Sequence, residues 1–294
     1  MYLIIGANGF LGSYILKNIL KKTKDDIIAV TRNVQTVTIH PRIQWISCDI
    51  SDTLGIDVLC KDLDSFHNLK VIFLASYHNP DRVDQNPVLA WDINVTSLSY
   101  FINKLHNVKY LFYASTDSVY GNSFDNYKFK EDDCLHPVNT YGSQKCAAES
   151  VVLWYGHHVV RYPFLIAPSC SPVKRHFYDK IVESLAKGKE IEMFMDSFRS
   201  SLSFDTGSAI LIDLMESSCG KIPPILNICG DEALSKYDIG IRIAKKLGAD
   251  SRLIVPISVE KSNGIFQTKR ARTTLMDNTK VKEFLGLKEI KLVV

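Results

Sequence analysis

The apolar run Tyr2-Leu3-Ile4-Ile5 passes directly into Gly6-Ala7-Asn8-Gly9-Phe10-Leu11-Gly12, and a helical pattern opens on the far side of that loop. A strand, a glycine-rich turn and a helix in this order confine the chain to a narrow set of folds. In such a turn, backbone N–H groups and the positive end of the following helix converge on one point, where they suit a pyrophosphate. The spacing is G-x-x-G-x-x-G, a variant of the dinucleotide fingerprint G-x-G-x-x-G. Gly6, Asn8, Gly9, Phe10, Leu11 and Gly12 are therefore the expected contacts to a dinucleotide cofactor.

Apolar runs of strand length recur at 2–5, 27–31, 43–47, 70–75, 108–114 and 157–162, separated by helical periodicity such as 10–22 and 86–105. Val71-Ile72-Phe73-Leu74-Ala75 and Tyr110-Leu111-Phe112-Tyr113-Ala114 are almost continuously apolar, as strands buried on both faces must be. This predicts an α/β fold with a doubly wound parallel sheet. Beyond about residue 165 the rhythm breaks around Pro163, Pro168 and Pro172, and a helical stretch near 174–187 and a short strand at 190–194 come next. Ser235-Lys236-Tyr237-Asp238 reads as the capped start of an amphipathic helix that Gly248 closes. The expected organisation is a Rossmann domain over 1–165 and a smaller C-terminal substrate lobe over 166–294, packed as one unit. With 294 residues, 46% of them hydrophobic, the chain can bury a sizeable core.

Charge and cysteine usage exclude several classes. A net charge of +3 from 35 basic and 32 acidic residues, without a basic tract, gives no electrostatic footprint for nucleic acid. The opening apolar stretch is too short for a signal peptide or a membrane span, so a cytoplasmic location without membrane contact is expected. Seven cysteines include no Cys-x-x-Cys pair and eight histidines no H-x-x-x-H pair, so neither a disulfide framework nor a protein-held metal is expected.

At the end of the second strand, a carboxylate would bind the ribose 2′-hydroxyl of NAD. This chain has Thr31-Arg32-Asn33 there. A guanidinium can grip a 2′-phosphate bidentately and stack on adenine, which favours NADP(H), with NAD(H) as the alternative.

Reduction of a carbonyl needs a proton donor beside the oxygen, and Tyr141 with Lys145 one helical turn later offers one. The ammonium of Lys145 is expected to lower the Tyr141 pKa and to hydrogen-bond the nicotinamide ribose. Tyr100 and Lys104 repeat the same spacing, so position has to decide between the pairs. Thr116, in Ala114-Ser115-Thr116-Asp117-Ser118, lies at the C-terminal end of a buried strand, where doubly wound folds place their ligands. It is the expected hydroxyl that holds the carbonyl oxygen.

The glycine loop, the hydroxyl after the fifth strand and Tyr-x-x-x-Lys about 25 residues on resemble the extended branch of the short-chain dehydrogenase/reductase superfamily. Ser115-Thr116-Asp117, Asp81-Arg82-Val83-Asp84 leading to Asn94, Ser235-Lys236-Tyr237, and Leu275-Met276-Asp277 before Lys280-Val281 and Leu285-Gly286 resemble its dTDP-4-dehydrorhamnose reductase group. The resemblance implies that Asp49 and Ile50 meet the adenine and that Leu74, Ala75 and Ser76 complete the cofactor set. It also places Tyr100 on a structural helix. His78, Thr116, Asp117, Arg199 and Arg270 become the expected substrate side, with Arg272 an alternative to Arg270.

Two departures from the reductase pattern matter. Phe198-Arg199-Ser200-Ser201 replaces a Gly-Ser-Pro-Thr-like segment, and its arginine resembles nucleotide-sugar epimerases, in which it binds the substrate diphosphate. Asp117-Ser118 replaces the Asp-Glu pair with which related 4,6-dehydratases move protons, which disfavours dehydration. The implied function is NADPH-dependent 4-ketoreduction of a nucleotide-linked deoxysugar by a homodimer. The alternatives are a nucleotide-sugar epimerase with tightly held NAD and a non-catalytic NAD(P)-binding regulatory subunit.

Overall fold

The computed structural model describes residues 1–34, 39–170, 174–260 and 267–294. Seven strands form one sheet: β1 (Tyr2–Ile5), β2 (Ile27–Thr31), β3 (Ile43–Ser47), β4 (Leu69–Phe73), β5 (Val108–Thr116), then His158–Tyr162 and Ile225–Asn227. The order across the sheet is Ile225–Asn227, His158–Tyr162, β5, β4, β1, β2, β3, and every pair is parallel. Strand order reverses between β1 and β4, so the crevice above their C-terminal ends is where a ligand fits in this Rossmann-like α/β fold.

Side chains alternate along β1 between two apolar layers. Tyr2 and Ile4 join Ile72 and Phe112 beneath helix α1 (Phe10–Lys22) and the helix Phe204–Glu216, while Leu3 and Ile5 join Val71, Phe73 and Leu111 on the other face. The second layer is closed by the helices Thr53–Leu63, Ser97–Lys104 and Thr140–Trp154. Near-continuous apolar strands result from burial on both faces.

The segment 86–105, expected as one helix, is split. An α-helical turn at Pro87–Trp91 passes into a π-helical turn, Asp92–Thr96, before Ser97–Lys104. A π-turn inserts one residue and so rotates the next helical turn about the axis, and here it buries Asn94. That amide is fully engaged: Oδ1 accepts from Ser76 Oγ at 2.9 Å and from the Tyr77 N–H at 2.7 Å, and Nδ2 donates to Tyr77 O and to Gln144 Oε1 at 2.8 Å. Asn94 thereby ties the loop after β4 to the helix Thr140–Trp154.

The rest of the chain makes a third apolar cluster from the helices Phe177–Ala186 and Lys236–Leu247 and the parallel pair Ile191–Phe194 with Ile254–Ile257. Ser235 and Asp238 cap Lys236–Leu247 reciprocally, and left-handed Gly248 ends it. Between these elements the chain comes back to the first layer. Phe204–Glu216 lies against α1, and Ile225 pairs with Val159. Of the three prolines at the break in rhythm, Pro172 lies outside the described residues.

Under the C-terminal end of β5 sits a buried ion pair. Arg161 Nη2 lies 2.7 Å from Glu149 Oε2, with both side chains almost wholly excluded from solvent. Arg161 also donates to Tyr120 Oη at 2.6 Å and Glu131 O at 3.0 Å, and Ser115 Oγ donates to Glu149. So many partners are what make a buried pair tolerable. Among the described residues no helix is long and apolar enough to cross a membrane.

Candidate active site

A cleft of about 950 Å³ runs along the C-terminal ends of β1, β4 and β5 and is closed on the far side by residues 163–165, 197–204 and 267–274. Gly9 is the N-cap of α1, and no side chain caps the first-turn N–H groups. Gly6, Gly9, Phe10, Leu11 and Gly12 line the cleft at that point. A Cβ added at Gly12 would lie 2.5 Å from Ala7 O, so only glycine lets helix and strand approach this closely. The uncapped amides and the bare backbone fit the pyrophosphate of a dinucleotide.

Arg32, Leu74 and Ser76 also line the cleft. Lys174, which the sequence did not single out, joins them; its Nζ donates to Asn8 O at 2.8 Å. Burial pulls the Lys174 ammonium down, and the charge of Arg32 adds to the effect, so two cations share this end. Five expected cofactor residues do not face the cleft. Thr31 and Ile50 are buried, Ala75 packs behind Gly6, and Asn8 reaches toward Asn33 O at 3.4 Å. Asp49 Oδ1 accepts from the Ser51 N–H at 3.0 Å and from its hydroxyl at 2.8 Å.

Thr116 ends β5 and caps the short 3₁₀ turn Asp117–Val119, its Oγ1 accepting from the Ser118 N–H at 3.2 Å. Asn139 caps the helix Thr140–Trp154 by accepting from the Gly142 N–H at 2.9 Å. A Cβ at Gly142 would lie 2.6 Å from Ser118 O. This close approach sets Tyr141 beside the end of β5, in the cleft that Ser76 and Thr116 also line.

The Tyr141 phenol is pushed well above its ordinary pKa, first by burial and then by the Asp117 carboxylate, while the hydroxyls of Ser76 and Thr116 pull the other way. Lys145 does not act on it as expected. Its Nζ donates to Ala114 O at 2.6 Å and lies 4.0 Å from the centroid of the Tyr113 ring. Burial pulls this ammonium down to about 7, against the charge of Glu149. The expected lowering of Tyr141 is therefore corrected: the lysine points at the strand, and desolvation dominates both groups. The other pair, Tyr100 and Lys104, clamps Asp57 at 2.9 Å each, away from the cleft.

On the far wall, Phe198–Arg199 pairs antiparallel with Leu234–Ser235, and Arg199 forms a parallel bridge to Thr274. Arg199 Nη1 donates to Phe198 O at 2.8 Å and Arg272 O at 2.9 Å, and Nη2 donates to Ala271 O at 2.6 Å. Nε lies 3.2 Å from Asp117 Oδ2. Three of its five N–H donors thus go to backbone carbonyls and a fourth faces a carboxylate. This arginine fastens the 270–272 segment to the end of β5, which is a different task from the diphosphate grip expected of it. Arg270 pairs with Asp81 at 2.7 Å, and Arg272 with Asp196 at 3.1 Å and with Glu260. Asp117 is buried, which raises its pKa against the opposing charge of Arg199, and His78 lines the cleft beyond Ser76.

Sequence reasoning missed the roles of Asn94 and Gln144, although both are polar residues on otherwise apolar helical faces. That mismatch was the available signal. Lys174 had no such signal, because it comes after the proline-rich break where no periodicity locates it.

The RmlD substrate binding domain family matches residues 1–291. The dTDP-4-dehydrorhamnose reductase of Aggregatibacter actinomycetemcomitans is 25% identical over 300 residues, covering 97% of this chain and 93% of that protein. Matches to UDP-glucose 4-epimerase of Lactobacillus helveticus and human dTDP-D-glucose 4,6-dehydratase span only about half of those proteins, 46% and 53%. Two solved structures show the same fold. A dTDP-4-dehydrorhamnose reductase from Bacillus anthracis in complex with NADP has a TM-score of 0.77 at 17% identity, covering 99% of this chain and 94% of that one. A UDP-glucuronic acid 4-epimerase from Bacillus cereus in complex with UDP-glucuronic acid and NAD has 0.79 at 19%, covering 98% and 93%. With its glycine loop, its parallel sheet, and Thr116 and Tyr141 in one cleft, the chain belongs to the RmlD substrate binding domain family, in the nucleotide-sugar branch of the extended short-chain dehydrogenases/reductases.

Proposed function

We propose that the protein is an NADPH-dependent 4-ketoreductase of a nucleotide-linked deoxysugar. The observation that carries this reading is that Tyr141, Thr116 and Lys145 line one cleft with the glycine loop, with the Tyr141 phenol held in its protonated form by burial and by Asp117. A phenol stays protonated at neutral pH, and even with a raised pKa it can give its proton to the much more basic alkoxide as that forms. A reduced nicotinamide dinucleotide held by the glycine loop and Arg32 would supply the hydride for C4. Tyr141 gives its proton to the C4 oxygen, so the ketone becomes a secondary alcohol with atoms and charge in balance. The Thr116 hydroxyl holds that oxygen, and Asn94, itself bonded to Gln144, fixes the Ser76 hydroxyl at the cleft wall. Arg32 and Lys174 at the adenosine end support NADPH, because two cations suit a 2′-phosphate. Arg199 was the residue that favoured an epimerase, and its engagement with Asp117 and three carbonyls removes most of that support. A homodimer and a cytoplasmic location complete the proposal on the family resemblance.

The test is to incubate purified protein with NADPH and a dTDP-4-keto-6-deoxyhexose, monitor nicotinamide absorbance and identify the sugar by NMR. Stoichiometric oxidation with a new C4 hydroxyl is expected. Unchanged NADPH, with copurified NAD and an interconverting stereocentre, would establish the epimerase instead.

A further inference from the structure

The strand pair that fixes Arg199 also delivers a lysine to the cleft. Phe198 and Arg199 pair with Ser235 and Leu234, and residue 236 opens the helix Lys236–Leu247 immediately beyond. Lys236 lines the same cleft as Arg199, Arg270 and Tyr141. Its Nζ lies 5.5 Å from the centroid of the Phe164 ring and 5.2 Å from that of Phe177, so two aromatic faces hold it in place.

Its surroundings differ from those of the nearby arginines. Arg199, Arg270 and Arg272 each face a carboxylate, at 3.2, 2.7 and 3.1 Å. Among the described residues, no carboxylate lies within ion-pair distance of Lys236. The charged groups that act on it are Arg270 and Arg199, and with burial they pull its ammonium down to about 8. His176, on the neighbouring wall, is held neutral by burial and feels the same lysine. Asp238, on its own helix, is committed to Ser235. A cation in the first turn also opposes the helix dipole. Local rules are broken in this way mostly where function requires it.

We propose that Lys236 is the diphosphate-binding residue of the substrate site, its ε-ammonium engaging the phosphates of the nucleotide sugar while Arg199 and Arg270 shape the wall behind it. The proposal rests on the nucleotide-sugar reading of the cleft. Arg199 and Arg270 already face Asp117 and Asp81, and a diphosphate brings the counter-charge that Lys236 alone of the three lacks. The rings of Phe164 and Phe177 hold the ammonium in place, so little conformational entropy is lost on binding. Because the ammonium loses its proton as pH rises through about 8, diphosphate affinity falls between neutral and mildly alkaline pH.

Calorimetric titration of the full chain with dTDP, UDP and thymidine tests this, with NADPH binding as the control for folding. K236M is expected to weaken dTDP and UDP by ~10–100-fold, the cost of one charged hydrogen bond, and to leave thymidine and NADPH unchanged. K236R is expected to keep most of the affinity and to lose the decline that the unmodified protein shows from pH 7 to 9.5. Wild-type affinity for dTDP in K236M, or an equal loss for thymidine, would overturn the assignment while leaving the nucleotide-sugar reading intact. If the unmodified protein binds NADPH but neither diphosphate, both fall. Should K236M fail to bind NADPH, the K236R profile decides: a decline identical to that of the unmodified protein rejects the lysine.

Discussion

Lys145 donates through Nζ to the carbonyl oxygen of Ala114 at 2.6 Å, two residues before Thr116. One side chain thus fixes the helix that carries Tyr141 to the strand that carries Thr116. The distance between the proposed proton donor Tyr141 and the proposed carbonyl clamp Thr116 is set by this contact, by the close approach of Gly142 to Ser118, and by the Asn139 cap.

A buried ammonium with a pKa near 7 makes stability depend on pH. The folded value lies below the ordinary 10.5, so between the two the unfolded chain binds the extra proton and this group makes the fold more stable as pH rises. Lys145→Met is expected to raise Tm near pH 7 and to reduce the rise in Tm between pH 7 and 10 relative to the unmodified protein, while turnover drops. Parallel Tm-versus-pH curves for the two proteins would show that Lys145 is not buried as a strained cation.

Arg161 and Glu149 are each other's main charge partner in the core. Arg161→Met or Glu149→Gln leaves the other member without its ionic partner and is expected to cost ~3–5 kcal/mol. The double variant is expected to cost less than the sum of the two. Urea denaturation of all four proteins measures the coupling, and strict additivity would contradict it.

Arg32→Asp places a carboxylate where a 2′-phosphate is proposed to sit. The ratio of kcat/KM for NADPH over NADH is expected to fall by ~10–100-fold, the worth of a charged hydrogen bond lost. Lys174→Ala is expected to move the ratio in the same direction by less, since its ammonium also holds Asn8 O. An unchanged ratio in Arg32→Asp would show that Arg32 does not contact a 2′-phosphate.

Much of the fold was readable because both-face burial writes itself into composition: β1 to β3 match the apolar runs residue for residue. The seventh strand, Ile225–Asn227, was not readable, since three residues carry no periodicity and its partner lies 66 positions earlier at Val159. The π-turn at Asp92–Thr96 was hidden for a related reason. Its register change is enforced by Asn94 bonding to Ser76, Tyr77 and Gln144, which are distant in sequence. Thr116, Tyr141 and Lys145 were legible from order and spacing. Their electrostatics were not, because helical spacing says that Tyr141 and Lys145 share a face and cannot say that the ammonium turns to Ala114. Arg199 shows the same limit: an arginine in a loop signals an anion, and only the fold reveals that the anion is Asp117.

Single-turnover NADPH oxidation with a dTDP-4-keto-6-deoxyhexose, comparing the unmodified protein with Tyr141→Phe, decides whether Tyr141 is the proton donor of a ketoreduction. One NADPH oxidised per ketosugar is expected of the unmodified protein. Tyr141→Phe is expected to keep its NADPH affinity and to react ~10²–10⁴-fold more slowly, the usual worth of a positioned general acid. Oxidation by Tyr141→Phe at the unmodified rate would contradict that role.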